Sequence, residues 1–346
     1  MECSIRMKTK YISSALVIVL AYVIRSAVQD AERTEAPSNS ANALWVQSLY
    51  FRGTQPTTLE PLKREDLVKL CKTFNKNHIR YAYMFAGPYD TNGTLPEYAF
   101  SDTARSSVDF IRARCPNLEI LPWVGGVVNK TVFLNDPVWC SNAVKSTSRL
   151  LSRLKLSGVH VNFEFFTYEI KDEYYPGQNN IDRFGQDELD FFRSLRRELP
   201  NSFLSTVAVT TSTNAFHWKR KNTFQEIQIL GTIVNQISFL CFDTSIQDNA
   251  SFRSCLSQQL SDIRSWKSNS GRAVQYLIGV GTFINKPDLW KFRNLEIESI
   301  TNTLNVLRDL LSPPNQNDIS GLAIFADWTT EDEEWRELRE LWLGDL

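Results

Sequence analysis

The chain has 346 residues, enough for two ordinary domains or for one large barrel. Hydrophobic residues make up 42% of it and charged residues 22%, which is typical of a globular protein with a sizeable core. Lys and Arg number 38 and Asp and Glu number 39, so the formal net charge is -1 and gives no electrostatic reason to expect a nucleic-acid partner.

The first 27 residues have the pattern of an export signal. Three basic residues, Arg6, Lys8 and Lys10, precede an apolar run from Tyr11 to Ile24, and small residues follow. We therefore expect a signal peptide at 1–27 and a secreted or exported protein. The alternative is an uncleaved N-terminal anchor, which would be the chain's only contact with a membrane. Residues 28–43 are mostly polar and small, and we interpret them as a flexible linker.

From residue 44 to residue 346 the chain alternates between strand-like and helix-like segments. Eight apolar, β-branched or aromatic runs predict strands at Leu44–Phe51, Ile79–Phe85, Leu118–Val124, Gly158–Phe165, Phe203–Thr210, Ile233–Phe242, Ala273–Phe283 and Ile319–Ala326. Apolar residues spaced three and four apart predict helices at Leu62–Phe74, Asp102–Arg114, Pro137–Leu154, Gln186–Leu199, Ser251–Trp266, Leu295–Leu311 and Thr330–Trp342, with a short, weak one near Thr223–Leu230.

This alternation predicts a single-domain α/β fold, the (β/α)8 TIM barrel. An open doubly wound sheet is the alternative. Its nucleotide-binding version loses support because no Gly-x-Gly-x-x-Gly or phosphate loop follows the first strand.

The six cysteines are Cys3, Cys71, Cys115, Cys140, Cys241 and Cys255. They contain no C-x-x-C pair, and with only three histidines in the chain we expect no metal site and no cofactor. A disulfide among the five cysteines after Cys3 remains open, because the sequence does not choose the pair.

The fourth predicted strand has an unusual inner face. Along Gly158–Phe165 the valines and phenylalanines alternate with His160, Asn162 and Glu164, which share the other face. A buried strand of an α/β protein is normally apolar on both faces. Three polar side chains in a row, ending in a carboxylate, therefore indicate a strand that lines a cleft. In a barrel such a strand end places Glu164 at the mouth, where active sites lie.

Four strand motifs resemble, in chain order, those of the family 18 glycoside hydrolases, the chitinase-type barrels. The family's Asp-Gly-x-Asp-x-Asp-x-Glu aligns with Ser157–Glu164, and its Ser-x-Gly-Gly aligns with Trp123–Gly126, which keeps both glycines. The family's Met-x-Tyr-Asp aligns with Leu240–Asp243, which keeps the Asp outright. The stretch Gly321–Trp328, which contains the end of the eighth predicted strand, has Phe where the family has Trp. The resemblance implies the barrel fold and a carbohydrate substrate or ligand.

The resemblance also implies roles for individual residues. Glu164 takes the position of the general acid, which requires a pKa raised by burial beside Phe163, Phe165 and Phe166. Asn162 replaces the Asp that holds the substrate's 2-acetamido group, and in this it resembles the Asn-x-Glu of family 85 endo-N-acetylglucosaminidases. Phe242 lacks the hydroxyl of the family's Tyr.

The remaining candidate residues each have two or more possible roles. Tyr50, Tyr83 or Tyr168 is expected to supply the missing hydroxyl. His160 replaces the middle Asp of the motif and is expected to orient the Asn162 amide, unless it is an ordinary interior histidine. Asp243 is expected either to bind the leaving sugar or to cap a turn. Trp123, Trp328 and Tyr50 are candidates for stacking on sugar rings, with core packing as the alternative.

The sequence thus predicts a retaining glycosidase that cleaves beside an N-acetylglucosamine-type sugar in a chitin-like polymer, peptidoglycan or an N-glycan. No protein carboxylate attacks in such a mechanism, because the substrate's own acetamido group does. The alternative is a chitinase-like carbohydrate-binding barrel that has lost catalysis, which the replaced Asp and Tyr residues favour. A barrel with an unrelated hydrolase activity also remains open, since fold does not fix function.

Overall fold

The structure is a computed structural model of the chain. It describes residues 41–164, 178–210, 221–269, 271, 273–282, 293–311 and 317–344, with the side chains of 178–182 left out. The predicted signal segment and most of the predicted linker lie outside these residues, as do Tyr168, Phe165 and Phe166.

Eight parallel strands close into a barrel in sequence order, so the predicted (β/α)8 fold is confirmed. Each strand pairs with its neighbour in the chain, and β8 returns to pair with β1. The strands are β1 Ala43–Val46, β2 Tyr81–Pro88, β3 Glu119–Val127, β4 Gly158–Glu164, β5 Phe203–Ala208, β6 Gln236–Leu240, β7 Gln275–Gly281 and β8 Gly321–Phe325.

Helices surround the barrel between the strands. They are α1 Ser48–Arg52, α2 Arg64–Lys76, α3 Asp102–Arg114, α4 Pro137–Leu154, α5 Gln178–Glu198, α6 Phe224–Ile233, α7 Asn249–Asn269, α8 Ile300–Leu310 and α9 Asp332–Leu338, followed by a π-helical turn at Arg339–Leu343. Local signals fix several starts. The Asp136 carboxylate accepts hydrogen bonds from the amides of Val138 and Trp139 at the start of α4, where Pro137 is the first helical residue.

The alternation along the strands separates two hydrophobic layers. On β4, Val159, Val161 and Phe163 face outward and join the large core between the sheet and the helices. Residues of the other parity fill the inside of the barrel, where Trp45 and Tyr83 pack with Trp123 at the edge of the cluster. The polar residues of β4 therefore point inward, as their spacing predicts.

The main departure from the predicted elements is at the start of the barrel. The predicted first strand runs to Phe51, but β1 ends at Val46 and Ser48–Arg52 forms α1. Gly53 ends this helix in the left-handed conformation, with φ of 70°, and the Ser107 hydroxyl donates to the carbonyl of Tyr50. A short apolar run fits a strand or one helical turn equally well, and here tertiary contacts favour the helix.

The barrel begins slightly before residue 44. The Ala41 amide donates to the carbonyl of Ser320, and the Asn42 side-chain oxygen accepts hydrogen bonds from the Leu322 amide and the Trp342 indole. Asn42 is fully buried, so residues 41–43 belong to the barrel and not to the preceding linker. Within the described ranges, none of the helices combines the length and apolar character needed to cross a bilayer.

Candidate functional site

The carboxyl end of β4 carries the candidate catalytic pair. The Asn162 Nδ2 atom donates to the Glu164 Oε1 atom over 3.1 Å. Asn162 is 6% exposed, whereas Glu164 is half-buried at the last position of the strand. This contact uses a donor of the amide nitrogen and leaves the amide oxygen for another partner. In the part of the chain that the structure describes, the buried Asn162 Oδ1 atom has no hydrogen-bond partner.

Glycine at position 125 permits the close approach of β3 and β4 behind this pair. Gly125 is paired in register with Asn162 and has a φ of 146°, which L side chains rarely adopt. A Cβ atom built at this position would lie 1.8 Å from the Asn162 carbonyl oxygen. The glycine therefore lets the Asn162 backbone lie directly against β3.

His160 lies one level deeper in the barrel than Asn162. It is fully buried, and its ring stacks on Tyr83 with centroids 3.7 Å apart and an interplanar angle of 7°. Trp45 contacts both rings edge-on. Desolvation lowers the pKa of His160 well below its usual value, so the imidazole is neutral and carries one ring proton.

The hydrogen bonds around His160 indicate where that proton lies. The Gln236 Nε2 atom donates to Gln275, which turns the Gln236 oxygen towards the hydroxyls of Tyr83 and Ser205, and both donate to it. Ser205 has then used its only proton, so the 2.8 Å contact with His160 Nδ1 requires an Nδ1–H donor. The opposite nitrogen, Nε2, is a bare acceptor, buried and unpartnered among the described residues.

Tyr83 belongs to this buried layer below the mouth. It has no exposed surface, its ring is covered by His160, and its hydroxyl donates to Gln236 and contacts Ser238. Burial also raises the pKa of its hydroxyl far above the usual range. The structure thus gives Tyr83 interior contacts for both its ring and its hydroxyl.

Tyr50 lies in α1, just past the end of β1. It is half-buried, and burial together with the negative charges of Asp327 and Asp66 raises its pKa to about 12. The hydroxyl is therefore protonated at neutral pH and can donate a hydrogen bond.

Aromatic residues of β1 and β8, and of the segments that follow β6 and β8, form a continuous group that extends from the interior of the barrel towards its mouth. Phe242 is buried and stacks on Phe325 with centroids 5.4 Å apart. Trp45 and Trp328 each meet Phe325 edge-on, at 5.7 Å and 5.3 Å. Trp328 is 38% exposed and is therefore the member of this group best able to offer a face to a ligand.

Trp123 lies on β3 and is paired in register with His160. It is half-buried and contacts Phe85 edge-on at 4.7 Å, so it lines the β3 side of the interior.

Asp243 follows β6 and is paired with Arg293. The guanidinium contacts both carboxylate oxygens, with Nε 2.6 Å from Oδ1 and Nη2 2.9 Å from Oδ2. Burial raises the pKa of Asp243, and the arginine charge and hydrogen bond act in the opposite direction. The Asp243 carboxylate, which the sequence analysis considered as a sugar contact, is therefore paired with Arg293.

Glu298 stabilises the backbone turn at Asp243. The sequence analysis did not predict a role for Glu298. Its carboxylate accepts hydrogen bonds from the amides of Asp243 and Thr244 and from the Thr244 hydroxyl. Glu298 is 1% exposed, and burial raises its pKa to about 7. Asp243 has a φ of 55°, so these hydrogen bonds stabilise a turn that a non-glycine residue seldom adopts.

Asp327, two residues after the end of β8, is a second residue that the sequence analysis did not identify. Its carboxylate accepts from the backbone amide and the side-chain amide of Gln47, and its own amide donates to the carbonyl of Trp45. Burial raises its pKa to about 6. These bonds join β1 to β8 at the mouth. The feature of the sequence that could have identified Asp327 is its position directly after the apolar run of the eighth predicted strand.

Phe163 does not contribute to the surroundings of Glu164 as expected. It packs outside the barrel against Phe191 and Phe192 of α5, with Trp139 of α4 nearby. The cause is the alternation of the strand, which sends residues 163 and 164 to opposite faces. Among the described residues, no group of three His, Cys, Asp or Glu side chains is arranged to hold a metal ion.

The closed ring of eight parallel strands with surrounding helices defines the architectural class, the (β/α)8 barrel. No protein-family model matches the sequence, and no curated protein matches it either. Solved structures do match, and the resemblance inferred from the motifs is confirmed for the fold.

Three of these structures illustrate the likeness. The chain is similar to a chitinase from Bacteroides thetaiotaomicron, with a TM-score of 0.56 and 12% identity over 88% of this chain and 97% of that one. It is similar to the Ostrinia furnacalis Group IV chitinase in complex with allosamidin, with a TM-score of 0.55 and 12% identity over 89% and 100%. The Bacillus cereus spore cortex-lytic enzyme SleL gives a TM-score of 0.54 and 12% identity over 87% and 74%.

Proposed function

We propose that the chain is a glycoside hydrolase that cleaves beside an N-acetylglucosamine-type sugar. The observation that carries the proposal is the pairing of Glu164 with an Asn162 amide whose buried oxygen has no donor among the described residues. A buried acceptor without a partner costs about 1–3 kcal/mol, so such a group at a cleft suits a ligand that brings the missing N–H. The N–H of a 2-acetamido group is a donor of this kind.

In the proposed reaction Glu164 gives its proton to the leaving glycosidic oxygen. The acetamido carbonyl oxygen attacks the anomeric carbon on the other face, and Asn162 Oδ1 accepts the acetamido N–H. Water then attacks the anomeric carbon, the bond to the acetamido oxygen breaks and restores the acetamido group, and Glu164 takes a proton from the water. Two inversions thus leave the product with the configuration of the substrate. The Asn-x-Glu likeness to the family 85 enzymes supports an amide in this role.

The similar solved structures support the same class of substrate. Two are chitinases, one of them in a complex with allosamidin, and the third is a spore cortex-lytic enzyme. Chitooligosaccharides and peptidoglycan fragments are therefore the first substrates to test, followed by N-glycans.

Substitution of Glu164 by Gln tests the proposal directly. Turnover should fall by about 10²–10⁴-fold, because general acid-base catalysis contributes that much, while binding of the sugar persists. Glu119→Gln is the matched control. Glu119 is the first residue of β3, at the opposite end of the barrel, where its carboxylate accepts from the Ser157 hydroxyl. Unchanged hydrolysis in Glu164→Gln would end the proposal.

The second candidate function is a carbohydrate-binding barrel without catalysis. The pairing of Asp243 with Arg293 favours it, since this carboxylate is not free at the mouth, and so does Phe242 in place of a tyrosine. Binding of N-acetylglucosamine oligomers by the unaltered protein, without turnover of any of the three substrate types, would favour this candidate over the enzyme.

A further inference from the structure

A groove between α2 and α3, on the outer side of the helix layer, is rich in basic side chains. It has a volume of about 420 Å³ and is lined by four exposed basic residues, Arg64, Lys69, Lys72 and Arg114. Among the described residues that line it, Glu65 is the one acid. Four positive charges and one negative charge give this groove a local charge of +3, although the whole chain is close to neutral.

The four basic residues of the groove have no ion pair with any residue in the described ranges. Several other arginines of the surface do have one. An Asp carboxylate lies 2.6–3.3 Å from each of Arg112, Arg153, Arg193, Arg253 and Arg264. Like charges that lie close together without partners repel each other, so the groove is complementary to a ligand that carries negative charge.

A second groove, between α4 and α5, shows that an accumulation of cations is not general in the helix layer. Its lining includes Lys145 and Arg183, but also the three acids Asp187, Asp190 and Glu198. Arg183 lies 3.5 Å from the carboxylate of Asp187. The charges of this second groove are therefore mixed, whereas those of the groove between α2 and α3 are almost all of one sign.

The positive charges are spread along the groove between α2 and α3 and do not meet at one point. Arg64 and Lys72 are eight residues apart on α2, which corresponds to about 12 Å along a helix axis. Arg114 faces the same groove from the neighbouring helix α3. A single small anion reaches only part of this set. A chain with anionic groups at intervals can contact all of it, and guanidinium groups bind such groups in a bidentate manner.

The aromatic residue of the groove argues against a nucleic acid or a membrane as the partner. Arg64 and Arg114 both lie over the Phe110 ring, with Cζ atoms 5.8 Å and 5.5 Å from its centroid. The ring is thus in contact with two cations of the protein, whereas single-stranded nucleic acids stack on open rings. A membrane-surface helix needs exposed apolar side chains, and none of the large exposed ones in the described ranges lines this groove.

We propose that the groove between α2 and α3 binds a linear anionic glycan, a polysaccharide that carries carboxylate, sulfate or phosphate groups along its chain. The choice of a glycan rests on the proposed function, because a barrel that cleaves carbohydrate acts among polysaccharides. The groove lies outside the helix layer, while Asn162 and Glu164 lie at the inner face of β4. The bound polymer therefore holds the protein beside its substrate without entering the candidate active site.

Binding of charged and uncharged polysaccharides to the full chain tests the proposal. The probes are heparin, which is sulfated, polygalacturonate, which is carboxylated, and dextran, which has no charge. Isothermal titration calorimetry at low and at high salt should show that at least one charged glycan binds, that salt weakens this binding, and that dextran does not bind, because exposed charges supply the contacts. Absence of binding by both charged glycans at low salt would overturn the proposal.

Substitution of Lys72 by Glu shows whether the groove is the site. The affinity for the charged glycan should fall about fivefold, since one attraction is replaced by a repulsion. Lys145→Glu is the matched control, because it makes the same change in net charge at an exposed position of α4. An equal loss in both variants would show that net charge and not the groove is responsible, and would overturn the proposal.

Two further measurements separate the remaining outcomes. Tighter binding of a single-stranded oligonucleotide, an acidic peptide or phosphatidylglycerol vesicles than of the charged glycans would overturn the choice of a glycan. Hydrolysis of uncharged N-acetylglucosamine oligomers should be the same in Lys72→Glu as in the unaltered protein. Absence of this hydrolysis in the unaltered protein counts against the proposed function, whereas absence of charged-glycan binding counts against the groove, so the two failures are distinguishable.

Discussion

Strands β4 and β6 each lead to an acidic residue at the mouth of the barrel, but the two acids have different partners. Glu164 is joined to a neutral amide whose oxygen is unpartnered among the described residues. Asp243 is held by the two nitrogens of Arg293, and Glu298 fixes the amide beneath it. A carboxylate at a strand end is therefore not by itself a reactive group, because its partner decides what it can do.

The electrostatics of the two ends follow from these partners. At β6 the burial that raises the pKa of Asp243 is opposed by the guanidinium, so a buried charge is matched by an opposite charge. Below β4 the nearest titratable side chain on the inner face is His160, which burial keeps neutral. At the β4 end the buried Asn162 oxygen has no donor among the described residues, whereas the Asp243 charge at the β6 end is balanced by Arg293. This difference agrees with the proposed chemistry at β4.

The largest expected effect is on the β4 side. Asn162→Ala removes the proposed acceptor for the acetamido N–H and should lower kcat on N-acetylglucosamine oligomers about 100-fold, since one preorganised hydrogen bond to the reacting group is worth roughly that much. Steady-state kinetics measure it. Asn142→Ala, at a half-buried position of α4 whose side-chain amide donates to the carbonyl of Asn92, is the control. A greater loss in Asp243→Asn than in Asn162→Ala would reverse the comparison.

On the β6 side the expected effect is on stability. Arg293→Ala leaves the mostly buried Asp243 carboxylate without its countercharge and should lower the free energy of unfolding by about 3 kcal/mol, measured by urea denaturation. The double variant Arg293→Ala/Asp243→Asn removes both charges and should recover part of this loss. If the single and double variants are equally unstable, the ion pair is not the cause.

Glu298 should make the stability of the β6 end depend on pH. Folding raises its pKa from 4.5 to about 7, so its contribution is fully present below about pH 4.5 and is lost as the pH rises through 7. The loss should be on the order of 3 kcal/mol.

The free energy of unfolding between pH 4.5 and pH 7 should therefore fall less in Glu298→Gln than in the unaltered protein. Glu296→Gln, two residues away and exposed, is the matched control and should keep the original slope. Identical slopes in all three proteins would remove Glu298 as the titrating group.

The smallest expected effect concerns the aromatic group beside the two acids. Trp328→Ala removes the exposed aromatic face and should raise KM about fivefold with little change in kcat, because stacking contributes about 1 kcal/mol. Leu59→Ala, another exposed apolar residue, is the control. A fall in kcat at unchanged KM would show that Trp328 acts on the reaction and not on binding.

The barrel was predictable from sequence because the strand and helix periods repeat eight times, and each repeat supports the others. Helix α1 was not, since five residues are too few for a period and the contacts of Tyr50 and Gly53 decide its form. The inward face of His160, Asn162 and Glu164 followed from alternation alone.

The partners of the candidate residues were not predictable. Arg293 and Glu298 reach Asp243 from 50 and 55 residues further along the chain, and no local pattern connects them. The same holds for Tyr83, whose hydroxyl meets Gln236 across the barrel. Such pairs are brought together only by the closure of the barrel, so they cannot be predicted from the local sequence.

Gly125 limits how the candidate site can change. With a Cβ atom so close to the Asn162 carbonyl, even alanine at this position would force β3 and β4 apart and displace the amide that faces Glu164. Strands β3 and β4 leave no room for a side chain at this position. A change in sugar preference therefore has to come from substitutions elsewhere, in the segments that surround the mouth. A saturation library should therefore return glycine alone at position 125, whatever glycan is used for selection.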